Sequence, residues 1–296
     1  MRISHQGVGA RLLQEISVGQ QSLYEMQERL ASGKRISKPS DDPFGLSRTL
    51  SARTDLDLTA QWQRNITVAT DDLGLSESLL TNLGDLLQRA EELATQGANG
   101  ALTAQARNQI ALEVERLLTE AIAIGNSSFG GRYLFAGHQT GSPPFVEDVP
   151  GAPTVVNYLG DDGAIAREIG ASGERVQTNI IGDDLFSPVY ATLIKLRDDL
   201  QADDQAAVNA GSGDVADALD RVLEYRGDIG AKMRQAEQAR TRLEDGELRL
   251  QSLIAQFEEA DLAESLVQLQ MRDTALNAAL GAAGMTLSTS LLNFLR

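Results

Sequence analysis

The residues of this chain most able to do chemistry are a glycine-rich segment, paired aspartates and two histidines. Gly211, Gly213 and Ala216 fit the GxGxxA spacing of dinucleotide-binding loops. Such a loop needs a strand before its glycines, so that the pyrophosphate meets the N-terminus of the following helix. The preceding segment Ala202–Ala210 is acidic and polar, so we interpret the glycines as a flexible helix start. A nucleotide-binding enzyme stays open as the alternative.

Aspartates occur in pairs, and paired carboxylates could bind calcium or act as general acid and base. The pairs are Asp41–Asp42, Asp71–Asp72, Asp161–Asp162, Asp183–Asp184, Asp198–Asp199 and Asp203–Asp204. None has the D-x-[DN]-x-[DN]-G spacing of a calcium loop, and helix starts and turns account for most of them. The chain has no cysteine and two histidines, His5 and His138, which excludes disulfides, thiolate ligands and a multi-histidine metal centre. We therefore predict no catalytic residue, no cofactor and no metal.

The charge balance excludes two classes of partner. The 42 acidic and 26 basic side chains give a net charge of -16, whereas binding to phosphates or to an anionic membrane needs a surplus of Lys and Arg. No window of about 20 apolar residues predicts a membrane span. Met1–Gln20 has no apolar core of a signal peptide, so a cytoplasmic protein is the default unless export uses no cleavable signal. We expect no nucleic acid and no membrane as partners.

Both ends of the chain carry apolar residues at helical spacing. Steps of three or four residues are typical of a narrow heptad stripe that packs against another helix. The N-terminal stripe comprises Val8, Leu12, Ile16, Gly19, Leu23, Met26 and Leu30. The C-terminal stripe comprises Leu262, Leu266, Leu269, Asp273, Leu276, Leu280, Ala283, Leu287, Leu291 and Phe294, with Asp273 as its one polar member. We expect the two terminal helices to pair with each other or with neighbouring copies.

Between the ends, two helical regions flank a part with short strands. The spacing predicts helices over Phe44–Gln96, Ala104–Gly125 and Val189–Leu200, and a long helix after a turn at Asp203–Asp214. The strand candidates are Thr154–Leu159, Ala164–Ile169 and Arg175–Ile180, with Asp161-Asp162-Gly163 as a hairpin turn.

These elements predict a mainly α fold, an elongated antiparallel helical rod with long N- and C-terminal helices and a small β-rich inserted central domain. We divide the chain into five segments. They are an N-terminal assembly segment 1–40, the rod's N-terminal half 41–137, the central domain 138–186, the rod's C-terminal half 187–255, and a C-terminal assembly segment 256–296.

The turn after the first helix resembles the N-terminal signature of the bacterial flagellin superfamily. It runs from Leu30 to Gly45, and the residues that carry the signature are Ser32, Gly33, Lys34, Arg35, Pro39, Asp41, Asp42, Pro43 and Gly45. Ser37 and Phe44 depart from the usual pattern, which has Asn and a small residue there. The segments Glu259–Glu264 and Ser290–Arg296 also resemble the superfamily's C-terminal part.

Two branches of the superfamily compete, the filament flagellins and the hook–filament junction proteins. The opening Met1–Ser4, the turn Lys38–Pro43 and the segment Arg132–Gly137 are similar to the junction branch. The resemblance therefore implies a structural protein of the flagellum that connects the hook to the filament. The filament subunit remains the alternative within the superfamily.

The resemblance also implies how such a protein assembles. It implies export as an unfolded chain, a ring of copies, contact with the hook-side junction protein and with flagellin, and a cytoplasmic export chaperone. It implies no enzymatic activity and a place outside the cell, at the hook–filament junction. We predict that the terminal stripes supply the assembly contacts, namely Val8, Leu12, Ile16, Leu23, Leu266, Leu269, Leu280, Leu287 and Leu291.

Overall fold

The fold is mainly helical. The computed structural model describes the backbone of residues 5–171 and 173–294, and the side chains of 10–171 and 173–285. The helices are α1 (His5–Ser32), α2 (Pro43–Gly97), α3 (Ala104–Gly125), α4 (Gly182–Gln201), α5 (Gln205–Glu258) and α6 (Leu262–Phe294). Helices make up 72% of the chain, which confirms the predicted class of long helices with a small β part.

The chain divides into two compact units. One unit comprises the residues up to Leu58 together with those from Asp245 onward, and the other comprises Thr59–Glu244. The first therefore brings together the two ends of the chain, and the second contains the strands, α3 and α4. The five-segment division stays a prediction.

One part of the core of the second unit is formed by the packing of α2 against α5. Buried residues on α5 recur at every seventh position, as in a coiled coil. They are Val208, Val215, Val222, Ile229 and Ala236. Arg226 Nη2 donates to Glu77 Oε1 at 2.8 Å, and Arg240 Nη2 lies 3.5 Å from Thr67 Oγ1. Arg240 follows Arg226 along α5, whereas its partner Thr67 precedes Glu77 along α2. The two helices are therefore antiparallel.

A cluster of four aromatic rings joins α4 to the strands. Phe186 lies 4.7 Å from Phe135 and 5.5 Å from Phe145, between ring centroids, and Tyr190 lies 5.1 Å from Phe145. All four rings are buried. Edge-on and tilted contacts of this kind stabilise a core beyond the burial of area alone.

Helix α4 begins earlier than the sequence indicates. We predicted a start at Val189. The helix instead begins at Gly182 and contains Pro188. The proline leaves the carbonyl oxygen of Asp184 without its usual backbone donor, and the guanidinium of Arg221 lies 3.4 Å from that oxygen. A side chain of α5 thus supplies the hydrogen bond that the proline removes.

The strands form three separate antiparallel pairs. They are β1 (Ser128–Phe129) with β2 (Arg132–Tyr133), β3 (Phe145–Glu147) with β4 (Val156–Tyr158), and β5 (Ala166–Glu168) with β6 (Arg175–Gln177). Asp161–Gly163 is therefore not a hairpin turn, since β4 and β5 do not pair. The Asp161 carboxylate instead accepts hydrogen bonds from the backbone N–H of His138 at 2.7 Å and of Gly163 at 3.0 Å.

The long C-terminal helix of the prediction is two helices. α5 begins at Gln205, nine residues before the predicted end of the turn at Asp214, and ends at Glu258. The Asp204 carboxylate accepts from Ala206 N–H at 3.1 Å, and Asp261 accepts from Ala263 N–H at 2.9 Å, so each aspartate caps the helix that follows it.

The glycines at 211 and 213 lie inside α5. The element directly before α5 is helix α4 and not a strand, so the arrangement that a dinucleotide loop requires is missing from this part of the chain. Among the described residues, no group of three His, Cys, Asp or Glu side chains is placed to bind a metal ion. None of the helices, as far as they are described, combines the length and apolar character that crossing a membrane requires.

Candidate assembly interface

Helices α1 and α6 form an antiparallel pair within one compact unit. Gly19 faces Leu276, and a Cβ atom at Gly19 would lie 3.2 Å from Leu276 Cδ1. Further toward the end of α1, Arg272 Nη1 donates to the carbonyl oxygen of Ser22 at 3.2 Å. The absence of a side chain at position 19 therefore lets the two helices approach closely. This pair joins the two stripes that the sequence predicts.

The structure places the predicted assembly residues in two groups. Leu12, Ile16, Leu23 and Leu269 are half-buried. Leu266 and Leu280 are 48% and 44% exposed. Val8, Leu287 and Leu291 lie outside the residues whose side chains are described. The half-buried residues lie along the stripes that meet in the α1–α6 pair, and a role in contacts with other molecules stays a prediction for all nine.

A second apolar face of α6 escaped the sequence analysis. At about 100° per residue, Val267, Met271 and Met285 lie roughly opposite the face that contacts α1. All three are exposed, Met271 to 66%. We name Val267, Met271 and Met285 the outer face of α6.

The absence of charge was the signal for this face. Residues 274–295 contain no ionisable side chain. A helix without charge on any face is usually covered on several sides. In this chain, α1 covers only one side of α6. Leu13 and Tyr24 of α1 are also exposed, so each helix of the pair presents apolar side chains beyond the contact between them.

The signature turn is held together by the side chains of two aspartates. Asp41 Oδ2 accepts from the backbone N–H of Lys38 at 3.0 Å and of Ser37 at 3.1 Å. These hydrogen bonds, with that of Lys38 the stronger, lower the pKa of Asp41. Asp42 Oδ1 accepts from Gly45 N–H at 2.8 Å and so caps α2, with Pro43 at the first helical position.

The structure explains why two positions of the signature are glycine, one by its backbone conformation and the other by lack of space. Gly33 has a φ of +67°, which is the left-handed conformation expected just after the end of α1. A Cβ atom at Gly45 would lie 2.6 Å from Asp42 Oδ2 and 2.8 Å from Ile36 Cδ1, so a larger residue would displace both. Of the other signature residues, the Ser32 hydroxyl accepts from Lys34 N–H at 3.3 Å, and Pro39 is exposed.

The basic residues of the signature bind the carboxyl end of α5. Lys34 Nζ lies 2.5 Å from Glu258 Oε1, and Arg35 Nη2 donates to the carbonyl oxygen of Phe257 at 2.8 Å. Arg53 of α2 adds a second ion pair, at 2.6 Å, to the other carboxylate oxygen of Glu258. Positive charge at this end is favourable, since the last carbonyl groups of a helix carry partial negative charge. We name Lys34, Arg35, Arg53 and Glu258 the Glu258 clamp.

The charge of Glu258 makes the clamp sensitive to acid. Partial burial raises the pKa of Glu258, but hydrogen bonds from Lys34 and Arg53 outweigh burial and hold the pKa below the ordinary value of 4.5. A carboxyl group whose pKa is lowered in the folded state stabilises the fold above its unfolded pKa. That contribution is lost as the pH falls through the folded pKa.

We therefore expect Glu258→Gln to lower the free energy of unfolding by about 2 kcal/mol at neutral pH, since it removes a charged acceptor from two hydrogen bonds. The difference from the unaltered protein should shrink once the pH falls below 4.5. Urea titrations from about pH 7 to pH 3 measure it. A difference that is the same at every pH would contradict the role of the charge. Gln251→Ala, on an exposed turn of α5, is the control.

Comparison with known proteins agrees with the signature. Residues 3–140 match the bacterial flagellin N-terminal helical region. The flagellar hook-associated protein 3 of Escherichia coli is 25% identical over 301 residues, which cover 94% of both chains. The N-terminal part of the chain thus matches the flagellin family, and relatives named as flagellar proteins extend the similarity over most of its length. The resemblance recognised from the sequence is thereby confirmed.

Two further flagellar proteins are similar over most of their length. Flagellin FlaB1 of Treponema pallidum is 26% identical over 277 residues, 91% of each chain. The solved structure of a putative flagellar hook-associated protein from Vibrio parahaemolyticus has a TM-score of 0.67 and 21% identity. It covers 74% of this chain and 100% of its own. At this identity the structural likeness supports the fold.

Proposed function

We propose that this protein is a structural component of the bacterial flagellum that joins the hook to the filament and assembles through α1 and α6. The observation that carries the proposal is the pair of terminal helices. Packing of α1 against α6 buries only part of their apolar side chains. Similarity to hook-associated protein 3 over 94% of the chain supports the flagellar junction. No catalytic role is part of this proposal.

The partners follow from the same proposal. Copies of the chain form a ring, which contacts the hook-side junction protein on one side and the first layer of flagellin on the other. Before export, a cytoplasmic chaperone covers the terminal helices. The chain is exported unfolded, which suits a sequence without cysteine, because no disulfide can form before transit.

The second candidate is a filament subunit. The similarity to flagellin FlaB1 of Treponema pallidum, 26% over 91% of the chain, favours it. A strain that lacks the gene distinguishes the two functions. Loss of a junction protein is expected to leave hooks without filaments and to release unpolymerised flagellin into the medium. Loss of a filament subunit is expected to shorten or remove the filament on a capped hook, and that result would reject the junction function.

Removal of Leu262–Arg296 tests the role of the C-terminal helix. We expect the truncated chain to be unable to restore filaments in the deletion strain, because α1 loses its partner and the outer face of α6 is removed. Electron micrographs and a swimming assay measure the outcome. Circular dichroism of the purified truncated protein checks that the rest remains helical. Assembly of the truncated protein at the hook tip would contradict the proposal.

A further inference from the structure

The Glu258 clamp joins parts of the chain that are far apart in sequence. Arg53 and Glu258 are 205 residues apart, and Arg35 and Phe257 are 222 residues apart. Backbone hydrogen bonds reinforce the junction, from Arg35 N–H to Glu258 O at 2.7 Å and from Ala260 N–H to Gly33 O at 2.9 Å. The contact forms only when both ends of the chain have come together.

The clamp lies where both terminal helices meet the rest of their unit. α1 ends at Ser32, two residues before Lys34, and α6 begins at Leu262, four residues after Glu258. The short segment between Glu258 and Leu262 is the only described connection from α5 to α6. A clamp at this corner therefore determines where α6 starts relative to the end of α1.

Burial makes this ion pair different from the usual surface pair. The Glu258 side chain is 11% exposed, whereas those of Lys34 and Arg53 are 48% and 51% exposed. A carboxylate that is largely removed from water and surrounded by two cations holds its position more firmly than an exposed one. The two cations stay about half exposed, so they keep part of their hydration on pairing.

We propose that the Glu258 clamp is a positioning device that sets α1 against α6 in one register. The basic residues of the signature turn then act within the chain and are not contacts to a partner. The register fixes which side chains form the outer face of α6. The consequence for flagellar assembly rests on the proposed function, whereas the clamp itself does not.

Distance measurements between spin labels test the proposal in the full-length protein. Because the chain has no cysteine, labels attach only where cysteine is introduced. One pair reports on α1 and α6, at the exposed Gln20 and Asn277, and a control pair reports on α3 and α4, at the exposed Thr119 and Ala191. We expect one narrow distance distribution for each pair in the otherwise unaltered protein.

Glu258→Gln should at least double the width of the Gln20–Asn277 distribution and leave the Thr119–Ala191 distribution unchanged. The exchange of charge in both ion pairs, Lys34→Glu and Arg53→Glu with Glu258→Arg, keeps opposite charges at each contact, and it should restore the narrow distribution. A narrow Gln20–Asn277 distribution in Glu258→Gln would overturn the proposal. Equal broadening of both label pairs would also overturn it, since that result shows general destabilisation. No recovery in the exchange would overturn it as well, since the ion pairs would then not set the register.

The same variants separate the clamp from the proposed function. In the deletion strain, Glu258→Gln should reduce the number of filaments at least tenfold, and the exchange should restore it. Normal filaments together with a broadened Gln20–Asn277 distribution would support the clamp and reject the use of the α1–α6 pair in assembly.

Discussion

Glutamate at both Val267 and Met271 is expected to abolish filament formation while the purified protein stays folded. Both side chains are exposed on the outer face of α6, so the substitutions remove no intramolecular core. In an assembly that covers this face, each carboxylate would be transferred from water into an apolar contact, at a cost of several kcal/mol. A loss of about 3 kcal/mol is already more than a hundredfold in association.

The measurement is complementation of the deletion strain, scored by filaments in electron micrographs. The control is Leu112→Glu, which places one such carboxylate at an exposed leucine of α3 in the other compact unit. It should leave assembly unchanged. Both variants should unfold in urea at the same midpoint as the unaltered protein. Normal filaments in the Val267→Glu, Met271→Glu variant would show that the outer face of α6 stays in solvent after assembly.

The helices were largely predictable because their signals are local. α3 has the predicted bounds, Ala104–Gly125, since Thr103 caps its start and its apolar residues recur at one period. The end of α1 before Gly33 was also predictable, because glycine is the residue that adopts a left-handed conformation at low cost. In each case the residues that determine the boundary lie within one turn of it.

The departures from the prediction have partners that are distant in sequence. The start of α4 depends on Arg221, which is 37 residues from Asp184. The pairing of β4 with β3, and not with β5, leaves Asp161 to bind the segment at His138, 23 residues away. Rules that predict helices and turns from neighbouring residues cannot include contacts between residues so far apart in sequence.

Two residues of the clamp, Lys34 and Arg35, could be named from the sequence as part of the signature, whereas Arg53, Glu258 and the contacts among the four could not. Lys34 and Arg35 directly follow the end of α1, which is the nearest helix end in sequence. The structure places them on the end of α5, because the antiparallel arrangement brings Phe257 and Glu258 to the same turn. The outer face of α6 was not predicted, because the apolar stripe of α6 alone was sufficient to explain its pairing with another helix. The uncharged residues after Asp273 were therefore not interpreted as a second apolar face.

Phe186→Ala is expected to lower the free energy of unfolding by about 4 kcal/mol, as for other large aromatic residues in a packed core. Phe186 is fully buried and contacts three of the rings in the aromatic cluster, Phe135, Phe145 and Tyr190. Removal of its ring leaves a cavity that the surrounding helices cannot fill without moving β3, which carries Phe145, and the turn that carries Phe135.

Urea unfolding followed by circular dichroism measures this change. The matched control is Phe129→Ala in β1, where the ring is 64% exposed and the expected loss is within about 0.5 kcal/mol. Because the cluster belongs to the unit Thr59–Glu244, the α1–α6 pair should keep its narrow label distance at urea concentrations below the transition. Equal losses for Phe186→Ala and Phe129→Ala would show that the aromatic cluster does not form the core that joins α4 to the strands.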